Sequence, residues 1–204
     1  DPNVQTPHID GLADESLNFE NAVSGCPVCC PARASLLTGQ SPLTHGVIVN
    51  DVSLNQGSPS MGKLFSDKGY ETAYIGKWHV DGRGRSNYIP RERRGGFDYW
   101  KVLECTHDYN ASHYYSGDSE EKLEWGGYDA ITQTQDAIEY IRNHGPEDDP
   151  FLMVLSWGPP HDPYGTAPSE YRALYDPESL ELRPNVPESH IGWTRDSLAG
   201  YYAH

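Results

Sequence analysis

The chain reads as an α/β protein, a sheet covered by helices. Three observations predict this class. Helix-patterned and strand-patterned segments alternate along the chain. Residues 151–157 (FLMVLSW) form a continuous apolar run of the kind found in buried strands. Just before them, residues 129–145 carry the clearest helical stripe in the sequence.

Taken in order, NFENAVS at 18–24 has the composition of a short strand. CCPARASLLTG at 29–39 predicts a helix, with Pro31 in its first turn, Leu36 and Leu37 seeking a core, and Gly39 as its stop. A second helix is expected over 58–69. Ser58 serves as its cap, Met61, Leu64, Phe65 and Lys68 lie at helical spacing, and Gly69 closes it. ETAYIGKW at 71–78 follows as a strand. From 80 to 127 the pattern dissolves into a long excursion carrying short strands, and excursions of that length usually have a function. The helix over 129–145 sets Ile131, Ile138 and Ile141 on one stripe and ends at Gly145-Pro146. After 158 the chain is Pro-rich and irregular until DSLAGYYAH starts another helix.

The 204 residues suffice for one ordinary domain. With 15 basic and 30 acidic residues the net charge is −15, which opposes nucleic acid or an anionic membrane face as partner. No apolar run approaches the roughly 20 residues of a membrane-spanning helix. Twenty Gly and 16 Pro predict many loops, while 5 Trp, 14 Tyr and 4 Phe supply packing groups that a disordered acidic chain lacks. Three of the four cysteines (Cys26, Cys29, Cys30) crowd into five positions, which points to local chemistry more than to stapling.

Three clusters carry residues able to do chemistry. Cys29 stands at the expected start of a helix, where free N–H groups favour an anion, with Arg33 one turn on. A nucleophile there and a plain thiol cluster, or a Cys26-x-x-Cys29 metal or redox pair, weigh equally on local physics. Lys77 and His79 lie two apart on an extended segment and so share a face, while Trp78 packs behind. Read alone, such a pair is more often a solvated strand end. His161 sits in Pro159-Pro160-His161-Asp162-Pro163, whose prolines restrict the loop. Each cluster follows an expected strand at its carboxyl end, where open α/β sheets place ligands, so Cys29, His79 and His161 are expected on one rim. Arg83, Arg85, Arg91, Arg93 and Arg94 form a basic run that is either a solvated face or a steering patch for an anionic substrate. Cys105, His107, Asp108 and His113 match no strong metal spacing.

CCPARASLLTG satisfies every fixed position of the signature C-x-P-x-R-x-x-L-L-T-G. Together with VQTPHIDGLA, FENAVS, THGV, GYETAYIGKWH, GFDYW, PFLMVLSWGPPHDPY and SEYRALYDP, in that order, it makes the chain resemble type I sulfatases of the alkaline phosphatase superfamily. The resemblance implies a mixed sheet flanked by helices, with 1–204 an incomplete, internal part of the catalytic domain. It also implies that Cys29 is oxidised to formylglycine, whose hydrate is the nucleophile. Arg33 then holds the hydrate, Lys77 binds a sulfate oxygen, His79 takes the hydrate's proton, and His161 binds sulfate and protonates the leaving oxygen. By the same resemblance the full protein binds Ca2+, or Mg2+, and Cys29 as formylglycine is the one ligand within these residues. The paired aspartates belong to a strand upstream of VQTP, and a further Asp and Asn follow the PPH loop, so the isolated chain is expected to be inactive or nearly so. Partners implied are a sulfated small molecule or saccharide and a formylglycine-generating enzyme or anaerobic maturase. A periplasmic, secreted or lysosomal setting is the family's usual one. Gln40 and His8 depart from an arginine and an asparagine common in the family and touch no nucleophile. The alternatives are a phosphonate or phosphate ester hydrolase of the same superfamily, and a non-catalytic cysteine-cluster or scaffold fragment.

Overall fold

The computed structural model describes residues 1–204. In chain order its helices are α1 (Pro7–Asp14), α2 (Cys29–Thr38), α3 (Pro42–His45), α4 (Met61–Ser66), α5 (Asp129–Arg142), α6 (Ser169–Arg172) and α7 (Ile191–Tyr202). The strands are β1 (Glu71–Lys77), β2 (Tyr99–Leu103), β3 (His113–Ser116), β4 (Leu123–Glu124) and β5 (Phe151–Ser156). The chain forms two compact units: one spans Gly25–Pro159, the other combines Asp1–Ser24 with Pro160–His204.

The larger unit holds the whole sheet, in the order β4-β3-β2-β1-β5. β1 runs parallel to both β2 and β5, whereas β3 and β4 extend the sheet antiparallel. The 80–127 excursion thus supplies three of the five strands, as expected of it. One face packs an aromatic core around Tyr74, where Trp78 and Phe97 meet its ring edge-on at 4.9 and 5.2 Å. Cys30, Ala34 and Leu37 of α2 close this core. Across the sheet, Ile75 and Leu103 pack with Trp125 and with Ala137 of α5. Successive residues Tyr74 and Ile75 therefore feed opposite cores, as the twofold period of a strand requires.

Several expectations need correction. Residues 18–24 form no strand. Phe19 and Val23 are 74% and 91% exposed, and no neighbouring strand takes up the segment's backbone hydrogen bonds. The second helix is shorter than 58–69 and begins at Met61 after Ser60. Its docking is set by Gly62, where a Cβ would lie 2.7 Å from the Gly95 carbonyl oxygen. That close approach buries Gly62 and leaves Leu64 58% exposed. On α5 the buried stripe is Asp129, Gln133, Ala137 and Tyr140, while Ile131 and Ile141 face outward. Tyr140 wins the inner face because its ring meets Tyr99 and Phe151 at 4.8 and 5.4 Å. Leu37 is buried but Leu36 is not. β5 is half-buried throughout, being the end strand of the sheet.

The smaller unit contains α1, α6 and α7, and its core gathers Ala199 and Ala203 at α7 with Ala167, Tyr175 and Leu180. Its two chain segments are joined by the Asn3 side chain, which donates to the Glu181 carbonyl at 2.9 Å and accepts from the Glu181 N–H at 2.8 Å. No helix of the chain is long and apolar enough to cross a membrane.

Gly76 is the tightest point of the sheet. Its φ is +103°, and a Cβ there would meet the Ser156 carbonyl oxygen at 2.2 Å. Since backbone cannot yield as a flexible side chain can, Gly76→Ala is expected to cost more than about 2 kcal/mol of stability. Denaturant unfolding of the purified variant beside wild type checks this.

Candidate active site

α2 begins at Cys29 itself, so Pro31 stands third in the helix rather than opening it. Cys29 is half-buried and Cys30 is buried behind it. The Cys30 N–H, one of the orphan donors of a helix start, is taken by the Asn50 side chain at 2.9 Å. All four cysteines are free thiols.

One turn on from Cys29, Arg33 reaches the carboxyl ends of two parallel strands. Its Nη1 donates to the Lys77 carbonyl at 2.7 Å and to Ser156 Oγ at 2.8 Å. The Lys77 carbonyl also accepts from the Tyr74 hydroxyl and from Ser156 Oγ, each at 2.9 Å. The other guanidinium donors of Arg33 have no protein acceptor and remain open to a ligand.

Lys77 and His79 are each only 2% exposed. No carboxylate pairs with the Lys77 ammonium, and neither ring nitrogen of His79 makes a hydrogen bond. Burial, seconded by the Lys77 charge, pushes the His79 pKa down to about 4. His79 is therefore neutral near pH 7 and offers an unprotonated nitrogen. Its φ is +57°, so the chain has left the extended state by this point. The Lys77–His79 proximity expected from strand geometry arises instead through a left-handed kink, and Trp78 enters the core as foreseen.

The larger unit thus brings Cys29, Arg33, Lys77 and His79 to the carboxyl end of the sheet. Cys29 follows a loop rather than a strand. His161 belongs to the smaller unit, where its Nδ1 lies 2.7 Å from the Asp162 carboxylate. Every arginine of the basic run is paired, the five sharing four aspartates. Arg83 and Arg93 pair with buried Asp81, Arg85 with Asp51, Arg91 with Asp98 and Asp118, and fully buried Arg94 with Asp118. It is scaffold rather than a free positive field. No group of three or more His, Cys, Asp or Glu side chains is poised to hold a metal ion, so these residues do not form a metal cage of their own.

Ser156, Tyr74, Asn50 and Asp51 escaped the sequence reading. Asn50-Asp51 carries only a turn signal, and nothing local marks it as the neighbour of Cys30. Glu104, at the end of β2, was missed too. It is 2% exposed, and its Oε1 accepts from the Asp81 and Gly82 N–H groups at 2.9 and 3.1 Å.

Residues 1–193 match the Sulfatase family. The chain belongs to the sulfatase family. It is 52% identical over its full 204 residues to an ulvan-active sulfatase of Formosa agariphila, of which it spans 40%. The crystal structure of YidJ from Bacteroides fragilis superposes with a TM-score of 0.88 at 32% identity, covering 98% of this chain and 50% of that one. A protein solved with its substrate D-glucosamine-2-N,6-O-disulfate superposes with a TM-score of 0.75 at 26% identity, over 90% of this chain and 35% of that one. This sulfatase chain therefore spans half or less of the length of these relatives, and its mixed sheet flanked by helices is the fold they share.

Burial pushes the Glu104 pKa up to about 7, with backbone N–H donors opposing and the Asp81 charge adding to the rise. A raised folded pKa stabilises below the unfolded value of 4.5 and loses that contribution as pH climbs to about 7. His79, with its lowered pKa, acts in the opposite sense between 6.5 and about 4. Glu104→Gln keeps the oxygen that accepts both N–H groups and removes the charge. From pH 5 to pH 8 the variant should gain on wild type by on the order of 3 kcal/mol. Parallel denaturation curves across that range check it; a constant difference with pH would contradict it.

Proposed function

We propose that the protein is a sulfuric ester hydrolase acting through a formylglycine made from Cys29. The observation that carries this reading is the pairing of open donors with a nucleophile position. Unpartnered Lys77, unbonded His79 and the open guanidinium donors of Arg33 gather at the sheet end that α2 adjoins.

In this reading one hydroxyl of the formylglycine hydrate attacks sulfur, and the bond from sulfur to the ester oxygen breaks in line. Arg33 and Lys77 offset the charge on the sulfuryl oxygens. Protonating the departing alcohol oxygen is the role that the resemblance gives to His161. His79 then takes the proton of the second hydroxyl. The electron pair of that O–H bond forms C=O, the carbon–oxygen bond to sulfate breaks, and water rehydrates the aldehyde. A serine could not do this, since it has no second hydroxyl with which to expel sulfate. We propose Ca2+, or Mg2+, as the cofactor of the full protein, with its ligands beyond Cys29 lying outside these residues.

For substrate we propose a sulfated saccharide, on the strength of the ulvan-active relative and the neighbour solved with a sulfated glucosamine. A formylglycine-generating enzyme or anaerobic maturase is the partner that this chemistry demands.

In full-length protein from its native host, the peptide carrying Cys29 should show an aldehyde oxygen in place of the thiol sulfur by mass spectrometry. Cys29→Ala should abolish turnover of an aryl sulfate, and Arg33→Ala should lower kcat by roughly 10²- to 10³-fold. An intact thiol in an active enzyme would overturn the mechanism. Faster cleavage of a matched phosphonate ester would overturn the substrate class.

A further inference from the structure

The only non-glycine residues of the chain with positive φ are Asp51 and His79, at +62° and +57°. Strain of this kind persists where surrounding contacts over-determine it, and it gathers at functional sites. Here the two strained residues meet: Asp51 Oδ1 lies 3.5 Å from His79 Nε2. Asp51 is held against the nucleophile helix on two sides. Its neighbour Asn50 accepts the Cys30 N–H, and its own N–H donates to Cys30 Sγ at 3.3 Å. Arg85 then grips both carboxylate oxygens, at 3.0 and 2.8 Å. The carboxylate is thus fixed in place before any ligand arrives, whereas the His79 ring makes no hydrogen bond and has Asp51 as its facing carboxylate.

We propose that Asp51 is the positioning residue of His79, a role that rests on His79 being the base in the reading above. A proton on Nε2 directed to Asp51 leaves the Nδ1 lone pair as the acceptor. The proton of the hydrate's second hydroxyl moves to Nδ1, its O–H electron pair becomes the C=O bond, and sulfate leaves with the electrons of the broken carbon–oxygen bond. The resulting imidazolium directs its Nε2–H to the Asp51 carboxylate, 3.5 Å away. Arg85 holds that carboxyl below its ordinary range, so Asp51 stays an anion rather than taking the proton. Lys77 and Arg33 both disfavour charge on His79, and Asp51 favours it. The third-group logic of a nucleophile, a base and its orienting acid is met with residues from three separate segments.

A double-mutant cycle in the full-length enzyme tests this, with 4-nitrophenyl sulfate as substrate and the formylglycine content of each variant measured by mass. Asn tolerates the left-handed conformation, and half-exposed Arg85 can turn to water, so Asp51→Asn should fold. It should lower kcat by about 100-fold with KM changed by less than about twofold. In a His79→Ala background the same change should cost less than about threefold, because the group it acts through is gone. An equal loss in both backgrounds, or no loss in either, would overturn the inference. Should Asp51→Asn not fold, Arg85→Met carries the same cycle, with an expected loss of about 10-fold that vanishes in His79→Ala. A His79→Ala enzyme with full turnover would instead remove His79 from the proposed function itself, so the two failures are separable.

Discussion

Everything at this site hangs on one backbone oxygen. The Lys77 carbonyl, last in β1, accepts from Arg33, Tyr74 and Ser156 at once. Those donors come from α2, from the strand itself and from the adjacent parallel strand. A single acceptor thereby fixes the helix start relative to the carboxyl ends of two strands. Arg33 can hold a ligand only because one of its nitrogens is already committed here, leaving a restricted set of orientations for the rest. Gly76 allows β5 to come close enough for Ser156 to take part.

Charge at the site follows from burial. Lys77, His79 and Glu104 are all withdrawn from water, yet only Glu104 accepts protein hydrogen bonds through its side chain. Uncompensated polar groups are costly in a folded core. The fold tolerates them where an anionic ligand would repay the debt. The nearby arginines point the same way by contrast, each being satisfied by an aspartate. The site thus keeps its unpaired donors few and local.

How much of this was legible beforehand differed by kind of residue. Cys29, Arg33, Lys77, His79 and His161 stood out because they occur in dense, ordered motifs that match the sulfatase signature. The sheet strands at 71–77 and 151–156 were legible because they are short apolar runs between clear helix and turn signals. Residues 18–24 misled because strand composition means little without a neighbour to bond. α5 misled because hydrophobicity ranks isoleucine above tyrosine, while ring packing against Tyr99 and Phe151 ranks them the other way.

The sequence by itself determined the family, the signature segment at 29–39 and the order of most helical and extended segments. Those properties depend on residue identity at short spacing. Only the tertiary structure decided that Asp51 meets His79, that Ser156 meets Arg33, and that the arginines of the basic run between 83 and 94 are paired with aspartates. These contacts join residues 28, 123 and, for Arg94 with Asp118, 24 positions apart. At such separations no local pattern marks the partner, because the chain brings them together only when the sheet closes and the left-handed turns at Asp51 and His79 are in place.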